Sequence, residues 1–236
     1  MTPPLEAVGA TLAQRLRGGA GPATTLADRG TENILPVLSP LAPLLPAGGL
    51  RRGSTLAVHG SASLLLALLA GATRSGAWSA AVGLPRLGMV AAAEAGVVLE
   101  RLALVPRPGT DLVGVLAALT DGMDLVAVAA PGRRLHSAEV RRLVARARQR
   151  GTVLVGFGGW PAADLRLSVR AAAWQGLGAG HGTLRARQVT VRLDGRGSAT
   201  RPRHLDVWLP AADGGLAEVE AATELGVGWP PQAEAV

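Results

Sequence analysis

No lysine, cysteine or tyrosine occurs in the 236 residues of the chain, and phenylalanine occurs once. Each gap removes chemistry. Without cysteine there is no disulfide, no thiolate nucleophile and no cysteine zinc site. Without lysine there is no Schiff base and no ammonium group to neutralise a nucleotide phosphate. Five tryptophans are the main aromatics, so the core has to be built from leucine, valine and alanine. Long apolar runs are missing too. The longest, Ala62 to Ala72, is too short to cross a bilayer. The opening MTPPLEAVGATLAQRLRGG has no basic stretch followed by an apolar one, so neither a secretory leader nor a membrane anchor is expected and the location is read as cytoplasmic.

What is present is arginine. The 24 basic residues are all Arg and face 17 acidic ones, for a net charge of +7. A GC-rich coding bias accounts for this choice as well as a function does. Either way, a surface of this sign suits a polyanionic partner such as DNA. The segment SAEVRRLVARARQR carries Arg141, Arg142, Arg146, Arg148 and Arg150 opposite an apolar stripe of Val140, Leu143, Val144 and Ala147. A later cluster holds Arg185, Arg187, Arg192, Arg196, Arg201 and Arg203. Solvated faces explain both clusters as readily as phosphate contacts do. Base stacking could use only Trp160 or Trp174, for which packing is the commoner role. His59, His136, His181 and His204 are scattered without ligand spacing, so no metal site is expected.

Periodicity divides the chain into three parts. Leu5, Val8, Leu12 and Leu16 share one face at helical spacing, and the Gly/Pro/Thr-rich stretch up to residue 33 detaches that helix from the body. Prolines 36, 40, 43 and 46 forbid a long helix and predict an extended crossing into the main domain, residues 34–210. There, apolar strands at 54–59, 77–82, 102–105, 124–129 and 152–157 alternate with helices at 62–75, 87–98, 110–121 and 137–150. That alternation predicts βαβ units and a parallel sheet with both faces covered. After Gly159, DLRLSVRAAAW, TLRARQVTVRLDG and PRHLDVWLP read as antiparallel strands at one sheet edge, with QGLGAGHGT as a flexible hairpin loop. Residues 211–236 form an acidic tail expected to be mobile.

GSTLAVHGSASLLLALLAG, residues 53–71, has the outline of a phosphate-binding loop: strand, small-residue turn, helix. In such a loop glycine, lysine and a hydroxyl residue would stand where this chain has Leu65, Leu66 and Ala67. Gly60, Ser61, Ala62 and Ser63 are all that remains of it, a degenerate loop expected to bind no cofactor. Leu64, Leu65, Leu66, Leu68 and Leu69 read as core residues of a helix packed on the sheet.

The order and spacing of LRRGSTLAVHG, GVVLERLALVPRPG, DLVAVAAP and QVTVRLDGRGSATRPRHLDVWLP resemble the ATPase core of the RecA recombinases over roughly residues 34–210. More narrowly, LAPLLPAGGLRRGSTLAVHGSASLLLALLAG, GLPRLGMVAAAEAGVVLERLALVPRPG and RPRHLDVWLP resemble the ImuA-prime proteins of actinobacteria. The resemblance implies a RecA-like α/β core and a role in damage-induced translesion synthesis beside an ImuB-like Y-family protein and, indirectly, a DnaE-type polymerase. It also marks two further losses: Ala129 aligns with the metal-binding aspartate and Pro85 with the catalytic glutamate. Phosphate cation, metal carboxylate and general base are then all missing, so no ATP hydrolysis is expected. The loop corresponding to RecA's first DNA loop, APGRRLHS, keeps Arg133 and Arg134; the second, GFGGWPAAD, keeps no basic residue.

The leading expectation is a non-catalytic adaptor. Its expected DNA contacts are Arg133 and Arg134 by resemblance and, from the two charge clusters, Arg141, Arg142, Arg146, Arg148, Arg185, Arg187, Arg201 and Arg203. Its partner contacts, including any self-association, are Leu5, Val8, Leu12 and Leu16 in the N-terminal helix and Leu216, Val219, Leu225 and Trp229 in the tail. Two alternatives stay open: an NTPase using Arg51 or Arg52 in place of lysine, and a SulA-like inhibitor acting on the division protein FtsZ.

Overall fold

The computed structural model describes residues 33–129, 135–161, 163–178, 181–196 and 201–219. The expected N-terminal helix, Arg133, Arg134, Leu225 and Trp229 lie outside them. The chain enters through β1 (Ile34–Pro36), which pairs antiparallel with β2 (Gly49–Arg51). Between them the proline-rich stretch folds into a 3-10 helix, Ser39–Leu44, instead of the extended crossing that its prolines suggest. A proline near its start and Pro43 inside it suit this tight helix, which needs few backbone donors, and it buries Leu41 and Leu44.

The body is one sheet with helices on both faces. Its strands are β3 (Thr55–His59), β4 (Ser79–Val82), β5 (Leu102–Val105), β6 (Leu125–Val128), β7 (Val153–Phe157), β8 (Leu165–Gly178), β9 (His181–Gly195), β10 (Arg203–Trp208) and β11 (Ala217–Glu218), in the order β11-β10-β9-β8-β3-β7-β6-β4-β5. The helices are α1 (Ala62–Arg74), α2 (Met89–Glu94), α3 (Leu112–Gly122) and α4 (Ser137–Arg150). Strands β3 to β7 are parallel, as their apolar runs predict. Strands β3, β4, β6 and β7 are buried because helices cover both sides, α1, α2 and the 3-10 helix on one and α3 and α4 on the other, whereas β5 at the edge is only half-buried. The α/β class, the mostly parallel sheet and the antiparallel C-terminal edge are as expected.

Four details differ. Strand β8 runs parallel to β3, from Leu56↔Leu165 to His59↔Ser168, and antiparallel pairing begins only between β8 and β9 and continues through β10 and β11. QGLGAGHGT is largely strand: β8 continues to Gly178 and β9 restarts at His181. The tail also begins later than residue 211, because β11 pairs with β10 through Val207↔Glu218 and Trp208↔Ala217. The second helix is shorter than expected, since Gly96 (φ +85°) turns the chain soon after it.

Local chemistry sets the helix ends. Ser61 Oγ accepts from Leu64 N–H at 3.2 Å and Asp111 Oδ1 from Gly114 N–H at 2.9 Å, each relieving an orphan donor of a first turn. At Gly71, inside α1, an added Cβ would stand 2.6 Å from Val37 Cα, so glycine lets the helix lie directly on the incoming chain. Asp164 anchors the start of β8, its Oδ2 accepting from both Thr55 N–H and Thr55 Oγ1 at 2.8 Å.

The outer helices are clipped together by charge. Asp121 of α3 accepts from Arg146 Nε at 2.8 Å and Arg150 Nε at 3.1 Å, both on α4. The hydrogen bond from Arg146 holds the Asp121 carboxyl below its ordinary pKa, against partial burial that raises it, and the Arg146 pKa is raised in turn. A lowered folded-state pKa means that the stabilisation is present above the unfolded pKa near 3.9 and is lost as pH falls through the folded value. Arg146 keeps 44% of its side chain exposed, so solvent screens the pair. Asp121→Asn is expected to lower stability by under about 1 kcal/mol at neutral pH. In urea titrations the difference from the parent should begin to shrink near pH 4 and disappear at more acidic pH; a constant difference down to pH 2 would contradict this account.

Candidate functional site

The parallel strands end on one side of the sheet, where ligands of open α/β folds bind. A cleft of about 860 Å³ lies there. Ala62 and Leu65 come from the first turns of α1, Gly83 to Leu87 from the turn after β4, Val128 and Ala129 from the end of β6, and Phe157 to Pro161 from the loop after β7. Four positions singled out in the sequence therefore meet at one place: Ala62 and Leu65 of the degenerate loop, Pro85 and Ala129. Arg86 supplies the only charge among the described lining residues, which include no carboxylate. Its walls are otherwise built by residues such as Leu84, Leu87, Val128 and Phe157.

Helix α1 explains the missing phosphate grip. Leu64, Leu65, Leu68 and Leu69 are fully buried and Leu66 and Ala67 nearly so, which bears out their reading as core residues. Each buried leucine contributes about 1.5–3 kcal/mol of transfer free energy. Ser61 is buried and spends its hydroxyl on the helix cap, where it also accepts from Arg187 Nη2 at 3.1 Å. Trp160 is 5% exposed and packs under the cleft, which removes it as a stacking surface. Its indole N–H is buried without a hydrogen-bond partner among the described residues.

The arginines are not one patch. Arg146 is engaged with Asp121, and Arg148 lies 4.0 Å from Asp164, while Arg141 and Arg142 are exposed on α4. Arg185 is exposed on β9. Arg187, also on β9, is half-buried: its Nε donates to Leu209 O at 2.8 Å, and burial lowers its pKa from the usual value. Arg201 and Arg203 sit at the entry to β10, Arg201 exposed and Arg203 half-buried. Arg52 bonds Asp124 at 2.6 Å beside the amino end of β6, the opposite end of the strands from the cleft, so neither Arg51 nor Arg52 reaches the place of the lost lysine. Leu216 and Val219 are half-buried against this chain's own apolar clusters, so the fold itself uses surface assigned to a partner. No group of metal-binding side chains and no membrane-length apolar helix occurs among the described residues.

Residues 43–162, which include the strands, the loop and the cleft, match the MT3502 N-terminal domain family. The chain belongs to this family. It is also 42% identical over 168 residues to the uncharacterized protein Rv3395c of Mycobacterium tuberculosis (strain ATCC 25618 / H37Rv), an overlap of 69% of this chain and 82% of the relative. The MT3502 match ends at residue 162 and so covers the parallel half of the sheet with its cleft, while β8 to β11 lie beyond it. Sequence reasoning missed the turn 84–87 and the loop 157–161 as walls of one site, because nothing in their composition marks them as neighbours. The three catalytic positions that the RecA resemblance marks as lost were the only available signal.

Proposed function

We propose that the chain is a non-catalytic adaptor of the ImuA-prime type, a RecA-like domain that joins an ImuB-like Y-family protein, and through it a DnaE-type polymerase, to damaged DNA. The observation that carries this reading is the cleft. Where a RecA-type ATPase needs a metal carboxylate and a general base, Ala129 and Pro85 line an apolar depression beside Leu65, with Arg86 the single arginine among the described lining residues. Such a surface offers nothing to stabilise phosphoryl transfer. It suits instead the apolar side chains of a protein segment, with Arg86 favouring an acidic flank.

Calorimetric titration with Mg-ATP is expected to give no affinity tighter than millimolar. Affinity capture from DNA-damaged actinobacterial cells is expected to recover the ImuB-like protein and its polymerase. Leu84→Glu, at the half-buried cleft wall, should weaken binding of the purified ImuB-like protein by roughly tenfold or more while the chain stays folded. Micromolar ATP affinity, or undiminished partner binding by a folded Leu84→Glu chain, overturns the assignment of the cleft.

A further inference from the structure

Strands β8 and β9 are the longest in the sheet, and they outrun it. Strand β3 ends opposite Ser168, yet β8 continues to Gly178, ten residues and roughly 30 Å further at ~3.3 Å per residue. Over the outer part of this arm, from Trp174↔Arg187 to Gly178↔His181, the two strands pair with each other. Beyond the Ser168↔Arg192 pair the arm carries Arg170, Arg185 and Arg187 and no acidic residue. The arm is therefore a positively charged projection.

One tryptophan stands on it in an unusual position. Trp160 and Trp208 are buried at 5% and 7% exposure, whereas Trp174 is 48% exposed. Its cross-strand partner Arg187 places a guanidinium 5.4 Å from the indole centroid. Arg187 is in turn tethered to Leu209 O and Ser61 Oγ, so the ring is braced on one side by a fixed cation and open on the other. Arg185, two residues along β9, is exposed and sits in a register irregularity of the ladder, beside a pocket that Glu94 and Asp213 also line. A braced, exposed indole with one exposed guanidinium nearby has the chemistry of a single-strand platform, where the ring stacks on a base and the arginine takes the phosphate.

We propose that the β8–β9 arm binds single-stranded nucleic acid, with Trp174 as the stacking platform and Arg185 as a phosphate contact. This deepens the adaptor reading and rests on it for the setting alone; the chemistry of the arm needs neither the cleft nor the ImuB-like partner. The contact is blind to sequence, because every base has a stackable face and no hydrogen-bonding group of a groove reader is involved.

Fluorescence anisotropy of the full chain with a labelled thymidine 15-mer, and with its uridine counterpart to separate DNA from RNA, tests the proposal. Trp174→Ala is expected to weaken binding roughly tenfold, and Trp174→Phe to retain it within about threefold, which separates stacking from folding. Arg185→Ala should reduce the slope of log affinity against log salt by about 0.7, the value for one phosphate contact on a single strand. The same variants should still bind the ImuB-like protein, so loss of DNA binding and failure of the adaptor reading give different results. Unchanged DNA affinity in Trp174→Ala overturns the proposal. So does loss only through Arg141→Glu and Arg142→Glu on α4, or tighter binding to anionic lipid vesicles than to either oligonucleotide.

Discussion

Rebuilding the phosphate loop with Leu65→Gly, Leu66→Lys and Ala67→Thr is expected to unfold the protein, not to create an ATPase. The three residues are 0%, 6% and 1% exposed within the first two turns of α1. Removing the Leu65 side chain costs about 2–5 kcal/mol through lost transfer energy and the cavity left behind. A glycine inside the helix adds about 1 kcal/mol. A lysine at Leu66 gives up about 1.5–3 kcal/mol of leucine burial, although that position also lines a pocket with Glu94 and Asp213. The total is about 5 kcal/mol or more, comparable with the whole stability of many domains. At ~2–4 °C per kcal/mol for a chain of this length, the thermal midpoint should fall by at least about 10 °C. Circular dichroism melting and a phosphate-release assay check both halves. A midpoint within about 2 °C of the parent together with sustained release of phosphate from ATP would mean that a usable nucleotide site survives beneath the leucines.

Gly83→Val should produce the second large effect, through backbone geometry instead of burial. Gly83 ends β4 with φ +70°, and its N–H donates to Val105 O at 2.9 Å. An added Cβ would lie 2.1 Å from Ala129 O, inside the backbone where β4 and β6 finish side by side. A β-branched residue pays conformational strain there and collides with a carbonyl that cannot move without disturbing the cleft floor. The expected loss is roughly 3–5 kcal/mol, read as a lower urea midpoint with the slope unchanged. Gly60→Ala provides the contrast. Its φ is also positive, at +79°, but nothing lies within 4 Å of an added Cβ, so strain alone should cost about 1–2 kcal/mol. Equal losses at the two positions would show that the collision at Gly83 relaxes freely.

The two variants expose different kinds of legibility. The leucines of α1 announce a buried helix in the linear sequence, since five of them in six positions leave no polar face for solvent. The need for glycine at Gly83 cannot be seen there, because the carbonyl that excludes a side chain belongs to a residue 46 positions away. The arginines divide in the same manner. Arg146 and Arg185 look alike as sequence, yet the first faces Asp121 across two helices and the second is exposed on a projecting strand.

By itself the sequence determined the alternation of strands and helices, the change to strands of alternating polarity after residue 159, the absence of lysine from the degenerate loop and the preponderance of positive charge. These are local or compositional properties: hydrophobic period, helix caps, turn residues and residue identity need no partner from elsewhere in the chain. Only the tertiary structure decided that the degenerate loop, Pro85 and Ala129 face one apolar cleft, that β8 joins β3 in parallel, that the start of the acidic tail completes the sheet, and that Arg187 braces Trp174 on an arm outrunning its neighbours. Those facts depend on strand order and register. Both are set by the packing of segments far apart along the chain, an energy that no single stretch of sequence contains.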